Sequence, residues 1–194
     1  MRTSTIVATV VGVVVGYLLG SVPVAVLVGR RRRFDPRTVG DRNPGWWNVR
    51  EHLGNRAAAP VLAGDVAKGV LAAAVGVGLG PDGAWGVGYA ALAAAMVGHA
   101  WPVFAAFRGG RSVLVFAGGM CVLAPLPALI AVAVFVALAA TGRTALGARV
   151  GVFGFPFLQL VLDSPHHTAA TGALMTIIGI RFALAARTPR RAGR

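Results

Sequence analysis

Acid is scarce in this sequence. There are 6 aspartates and glutamates against 19 lysines and arginines in 194 residues. Charge of any sign is scarce too, at 13% of residues, about half the share of an ordinary soluble domain. That deficit excludes a typical soluble enzyme. The 56% apolar content excludes a disordered chain, which needs low hydrophobicity. Cysteine is limited to Cys121, so no intramolecular disulfide can form and no thiolate metal site can assemble. No Ser-His-Asp series, nucleotide-binding loop or metal motif is present, so neither a cofactor nor a metal is expected.

What the chain has instead is uninterrupted apolar sequence, with a mean hydropathy of +0.72. Basic residues fall mostly in the short gaps between apolar runs, the distribution that sets membrane topology. No basic face alternates with exposed aromatics, so nucleic acid is not an expected partner. Part of the charge suits anionic lipid headgroups or a phosphorylated substrate.

These features predict an all-α integral membrane protein, a compact bundle of about seven transmembrane helices forming one domain over residues 1–194. The spans are expected at about 5–28, 57–79, 84–107, 113–124, 128–140, 150–162 and 168–186, each read against ~30 Å of hydrocarbon. A motif loop over 30–56, rich in arginine, is expected in the cytoplasm. Reading Val113–Ala140 as two short helices keeps Arg108 and Arg111 on the side of Arg143 and Arg149; one kinked helix would give six spans. Seven spans put the N-terminus outside and the C-terminus in the cytoplasm. Arg32, Arg111, Arg143 and Arg190 then face inward, and Asp82 and Asp163 outward. Gly12, Gly16 and Gly20 recur every fourth residue, a flat face for close helix packing.

Three features carry possible chemistry. The loop Gly40-Asp41-Arg42-Asn43-Pro44-Gly45-Trp46-Trp47-Asn48-Val49-Arg50 offers turns and amide groups, either to a ligand or to itself. Phe107-Arg108-Gly109-Gly110-Arg111-Ser112 precedes an apolar helix. Free backbone N–H groups and arginine there suit a phosphate, or the segment is a basic turn that sets topology. Asp65 and Lys68, three residues apart inside an apolar run, are expected to pair at depth or to line a polar cavity. His99 reads as a base or as an interfacial hydrogen-bonder. His166-His167 reads as a solvated turn on the opposite side.

Taken in order, Gly16 to Pro23, Asp35-Pro36-Arg37, the Asn43/Gly45/Asn48 loop, Asp65-x-x-Lys68-Gly69 and Gly98-His99-x-x-Pro102-Val103-Phe104-x-x-Phe107-Arg108-Gly109-Gly110 form a series. It resembles the PlsY-type bacterial glycerol-3-phosphate acyltransferases from about Gly16 to Val115. The resemblance implies a multi-pass protein of the bacterial inner membrane that moves an acyl chain from acyl phosphate to glycerol 3-phosphate, giving lysophosphatidic acid. It implies His99 and Asn48 as catalytic residues. Asn43, Gly45, Arg50, Arg108, Gly109, Gly110, Arg111 and Ser112 would bind substrate or phosphate, and Asp65–Lys68 would form the buried ion pair.

This sequence departs from the family's pattern in places. Asp41 stands where the family has serine, Trp46-Trp47 where it has Ala-Thr, and Arg111 where it has lysine. The family's C-terminal His, Asn and Glu have no counterpart between Arg181 and Arg194. The expected result is a cleft more crowded and more anionic at position 41, with weak transfer to glycerol 3-phosphate. A homologue that keeps the fold and phosphate or lipid binding without turnover, and a small transporter, are the alternatives.

Overall fold

The structure, a computed structural model, describes residues 2–81 and 84–187. Asp82 and Arg190 lie outside them. The described chain is helical: α1 (Arg2–Ser21), α2 (Val24–Arg30), α3 (Trp46–Leu79), α4 (Trp85–Ala100), α5 (Val113–Leu123), α6 (Pro125–Ala140), α7 (Thr144–Leu162) and α8 (Pro165–Arg187). Five stretches are long and apolar enough to cross a membrane: Thr3–Arg30, Trp46–Leu79, Trp85–Ala105, Thr144–Leu162 and Pro165–Arg187. α5 and α6 are shorter, about 16 and 24 Å at 1.5 Å per residue.

Several expected boundaries move, each for a local reason. The first span is broken at Val22-Pro23, because proline restricts the residue before it and cannot donate to the ladder. The third ends at Ala100 rather than 107, since Trp101 precedes Pro102. The motif loop is not irregular to residue 56. Gly45 caps a helix that starts at Trp46, and Trp46, Val49 and Leu53 share one face packed on Ala25, Ala57 and Val61. Gly54, at φ 78°, then kinks that helix in a conformation suited to glycine. The region 113–140 is two helices broken at Ala124, with Pro125 at the first helical position of α6, where its missing N–H costs nothing. α7 starts at Thr144 rather than 150, and α8 at Pro165 rather than 168.

Backbones meet closely inside the bundle. A Cβ on Gly16 would strike the carbonyl of Ala91, one on Gly20 that of Ala95, and one on Gly98 that of Tyr17, so α1 and α4 touch main chain to main chain. Gly69 and Gly118 do the same between α3 and α5. Around them Leu92, Met96, Val115, Phe116, Met120 and Phe155 form the core.

Contacts also give the helix directions. Leu123, at the end of α5, reaches Gly88 near the start of α4. α6 and α7 form an antiparallel hairpin in which Gly151 faces Ala131 and Gly147 faces Phe135 and Leu138. The rings of His167 and Trp85 lie 4.4 Å apart, and Gln159 donates to the Tyr89 hydroxyl at 3.0 Å. One end of the bundle therefore gathers Gly80-Pro81, Ala84, Ala124 and Asp163-Ser164. The other gathers the 31–45 loop, the 101–112 segment, the 141–143 turn and the end of α8. The expected outward turn with His167 lies at the end away from His99.

Gly20→Val is expected to cost about 1–3 kcal/mol, because the atom it meets is backbone and cannot rotate away. Thermal unfolding in detergent should show a Tm lower by several degrees, while Gly78→Ala, a helical position with open space around it, should hold or slightly raise Tm.

Candidate functional site

The end that collects the long loops also holds an open cleft of about 850 Å³. Its lining includes Arg37, Arg42, Arg108, Arg111, Arg181 and Arg187 against one acid, Asp41. Phe107, Phe182, Leu184 and Ala185 form an apolar wall beside the arginines. Charge and greasy surface thus share one cleft, as an amphiphile with an anionic head requires.

The first wall is the 31–45 loop, and Asn48 holds it. Its side-chain amide donates toward the carbonyls of Pro36 at 2.8 Å, Val39 at 3.0 Å and Asn43 at 3.2 Å. Gly40, at φ 61°, allows the loop to press on Asn48 and His52, where a Cβ would collide with both. Asp35 accepts from the Arg37 side chain at 2.9 and 2.8 Å, and that hydrogen bond holds its carboxyl below the usual carboxylate range. Asp41 accepts the Asn43 N–H at 3.1 Å with one oxygen and pairs with Arg111 at 2.9 Å with the other. The aspartate therefore crosses the cleft and neutralises the arginine opposite.

The second wall is the segment after α4. Ala106, Phe107 and Ser112 all have left-handed φ, at 52°, 58° and 63°, a conformation that costs roughly 1–2 kcal/mol at each non-glycine residue. Arg111 lies against Phe182, its guanidinium 4.6 Å from the ring centre. From α8, Arg181 donates to the carbonyls of Gly110 at 2.9 Å and Gly109 at 2.7 Å.

A narrow crevice of about 10 Å³, room for little more than one water, shares Pro44, Arg108 and Gly109 with the cleft. It ends on Asp65, Lys68 and His99. Lys68 Nζ donates to Asp65 Oδ1 at 2.8 Å, so the expected buried pair is formed. The same Nζ lies 3.4 Å from His99 Nδ1, while Asp65 Oδ1 is at 3.6 Å from that nitrogen. With the Lys68 ammonium as donor to Nδ1, the imidazole would be neutral and carry its proton on Nε2; with Asp65 as acceptor, Nδ1 would carry it. Nε2 faces Gly110, where a Cβ would collide with it. Among the described residues no three His, Cys, Asp or Glu side chains converge as a metal site.

The site residues expected from the sequence divide. Asn43, Arg108, Gly109 and Arg111 line the cleft, and Gly110, His99, Asp65 and Lys68 line its narrow branch. Four expected features are placed differently. Arg50 stands outside the cleft lining, stacked near Trp46 and Trp47 and donating to Asn55 at 2.9 Å. The two tryptophans also stand outside that lining, so they do not crowd it. The Ser112 hydroxyl is spent on the Met96 carbonyl at 2.7 Å. The Gly110 N–H is spent on the His99 carbonyl at 3.0 Å, so that amide does not face the cleft as a free donor. Gly45 caps α3 and Asn48 staples the loop, roles of shape. Sequence reasoning missed Arg181 and Phe182, and noted Arg37 only as part of a motif without a binding role. Arg181 had a signal: a lone charge inside an apolar run, the criterion that singled out Asp65 and Lys68.

Membrane-length helices, a buried ion pair and an arginine-lined cleft at one end describe an all-α, multi-pass integral membrane protein. The sequence profile of the glycerol-3-phosphate acyltransferase family matches residues 10–188. A glycerol-3-phosphate acyltransferase of Rubrobacter xylanophilus is 43% identical over 150 residues, 77% of this chain and 74% of its own. One from Ralstonia nicotianae is 38% identical over 179 residues, covering 90% and 86%. The fold matches a crystal structure of PlsY (YgiH), an integral membrane glycerol 3-phosphate acyltransferase in its glycerol 3-phosphate form. The TM-score is 0.79 at 24% identity, over 95% of this chain and 96% of that one. The chain belongs to the glycerol-3-phosphate acyltransferase family.

The Asp41–Arg111 pair is partly exposed, so its net worth is about 0.5–1 kcal/mol. Asp41→Ser should release Arg111 and tighten inorganic phosphate binding roughly two- to fivefold, measured by calorimetry. Arg50→Ala, outside the cleft, should leave that affinity unchanged.

Proposed function

We propose that this protein transfers an acyl chain from acyl phosphate to the 1-hydroxyl of glycerol 3-phosphate, releasing phosphate and lysophosphatidic acid. The observation that carries the reading is the cleft: six arginines and one aspartate beside an apolar wall, at the end of a membrane bundle. Both substrates bear phosphate, and one bears a long apolar tail. Arginine forks hold the phosphate oxygens, and Phe107, Phe182 and Leu184 take the start of the chain.

In this reading the hydroxyl oxygen attacks the acyl carbonyl carbon, and the bond from that carbon to the phosphate oxygen breaks. The hydroxyl proton passes to the departing phosphate. Acyl phosphate is an activated anhydride, so no side-chain nucleophile is required; positioning and charge stabilisation carry the rate. The narrow branch admits one oxygen-sized group, and the acyl carbonyl oxygen fits there. The Nε2–H of His99 and the Lys68 ammonium would stabilise the negative charge it develops. His99 then acts as a donor rather than a base. Asn48 acts by holding the loop.

The setting is the plasma membrane of a bacterium, with the cleft end in the cytoplasm, the N-terminus outside and the C-terminus inside. The exposed run Arg30 to Arg33, beside the cleft end, would hold anionic headgroups. A second reading has one observation in its favour: Asp41 already occupies Arg111. A protein that keeps the fold and binds phosphate without turnover would also carry that contact.

Purified protein given acyl phosphate and glycerol 3-phosphate should form lysophosphatidic acid and free phosphate in equal amounts. His99→Ala should lower kcat about a hundredfold, the usual cost of one lost donor to a developing oxyanion. Phosphate binding with no product from the unmodified protein would establish the second reading instead.

Orientation is tested separately. With Cys121 replaced, single cysteines at positions 32, 111 and 143 should label only from the cytoplasmic side, and one at 163 only from outside. Labelling of 111 and 143 from opposite sides would overturn the arrangement.

A further inference from the structure

We propose that Arg181 is a positioning residue of the transfer reaction, a clamp from the last helix that holds Gly109-Gly110 against His99. The proposal rests on the acyl-transfer reading above and deepens it.

Arg181 lies in an apolar part of α8 and is half-buried, so its guanidinium needs partners. It finds them 71 and 72 residues away: Nε donates to the Gly110 carbonyl at 2.9 Å, and Nη2 to the Gly109 carbonyl at 2.7 Å. One planar fork thus spans two successive carbonyls, a geometry that an ammonium cannot reproduce. The guanidinium is itself located by the Trp101 ring, 5.2 Å from its centre. The Trp101 carbonyl in turn accepts from the Tyr17 hydroxyl on α1 at 3.0 Å. Three helices therefore fix the fork.

The segment it grips makes bonds of its own, from the Phe107 N–H to the Pro102 carbonyl at 2.9 Å and from the Ser112 hydroxyl to the Met96 carbonyl at 2.7 Å. Among the described residues, the fork alone takes up the Gly109 and Gly110 carbonyls. Ala106, Phe107 and Ser112 flank the glycines in left-handed conformations that a free loop would relax. Yet the glycines must stay where they are. The Gly110 N–H donates to the His99 carbonyl at 3.0 Å, and neither glycine has room for a Cβ beside His99. Arg108 and Arg111 extend from the same stretch into the cleft. The clamp does two things. It sets the distance between these arginines and the His99 ring, and it turns two carbonyl oxygens onto a cation, so that their negative ends do not oppose a bound phosphate. A displacement of about 1 Å in such a site costs on the order of a hundredfold in rate.

The experiment compares Arg181→Ala and Arg181→Lys with the unmodified protein. Turnover of acyl phosphate and glycerol 3-phosphate is measured per folded molecule, with Tm and the ¹⁵N shifts of the His99 ring as separate readouts. Arg181→Ala should lose about a hundredfold in kcat and shift the His99 signals. Arg181→Lys, which keeps the charge and folds, should recover less than a tenth of the activity. Millimolar guanidinium should restore Arg181→Ala at least tenfold, while methylammonium should not. Full activity in Arg181→Lys, or an unchanged kcat and unchanged His99 shifts in Arg181→Ala, would overturn the clamp. So would failure of guanidinium to rescue a folded Arg181→Ala. If the unmodified protein itself shows no turnover, the acyl-transfer reading falls. The clamp then stands or falls on the His99 shifts and their restoration by guanidinium.

Discussion

Gly109 and Gly110 lie so close to His99 that no side chain fits between them, and the Gly110 N–H closes the contact on the His99 carbonyl. The architecture of the site follows from that approach. It brings the arginines on either side to the mouth of the cleft, and it leaves the narrow branch with room for a single small group. It also explains why neighbouring residues accept left-handed backbone. The chain must leave Pro102, turn back on α4 and enter α5 within a few residues. Hydrogen bonds from Arg181 and from Ser112 hold that path.

The second constraint is the cost of charge in an apolar bundle. Lys68 is paired with Asp65 and sits beside His99, so none of the three stands alone at depth. Most of the remaining charge lies in the loops and helix ends at the two ends of the bundle. At the far end Asp163 and His167 pair at 2.9 Å beside Trp85. At the near end arginine outnumbers acid, and Asp41 alone among the cleft residues offsets it. In the proposed function a substrate phosphate and Asp41 would compete for the same guanidinium, a property set by one residue that departs from the family's pattern.

The missing C-terminal His, Asn and Glu of the family do not leave the last helix out of the site. Arg181 and Phe182 reach it from α8, one gripping the glycine carbonyls and the other lying against Arg111. The tryptophans that replace small residues turn away, because Trp46 belongs to the face of α3 that packs on α2, and Arg50 follows them. A residue's place in a motif did not predict the direction of its side chain. The helix face decided it.

The sequence alone determined what depends on local pattern. Apolar run lengths and arginine-rich gaps specified a membrane bundle, because hydrocarbon tolerates only helices with few charges. The 3.6-residue period put Asp65 and Lys68 on one face, and glycines every fourth residue marked a close-packing face on the first helix, whose partner only the structure identifies as α4. Reading 113–140 as two helices anticipated the break at Pro125, whereas the break at Pro23 emerged only in the structure. Tertiary structure alone decided which groups meet across long separations: Arg181 with Gly109, Asp41 with Arg111, Lys68 with His99. Those contacts join segments 31 to 72 residues apart, and no local period encodes them. Whether a loop amide points to a ligand or to its own chain is decided by the nearest acceptor in space. For Gly110 that acceptor is the carbonyl of His99.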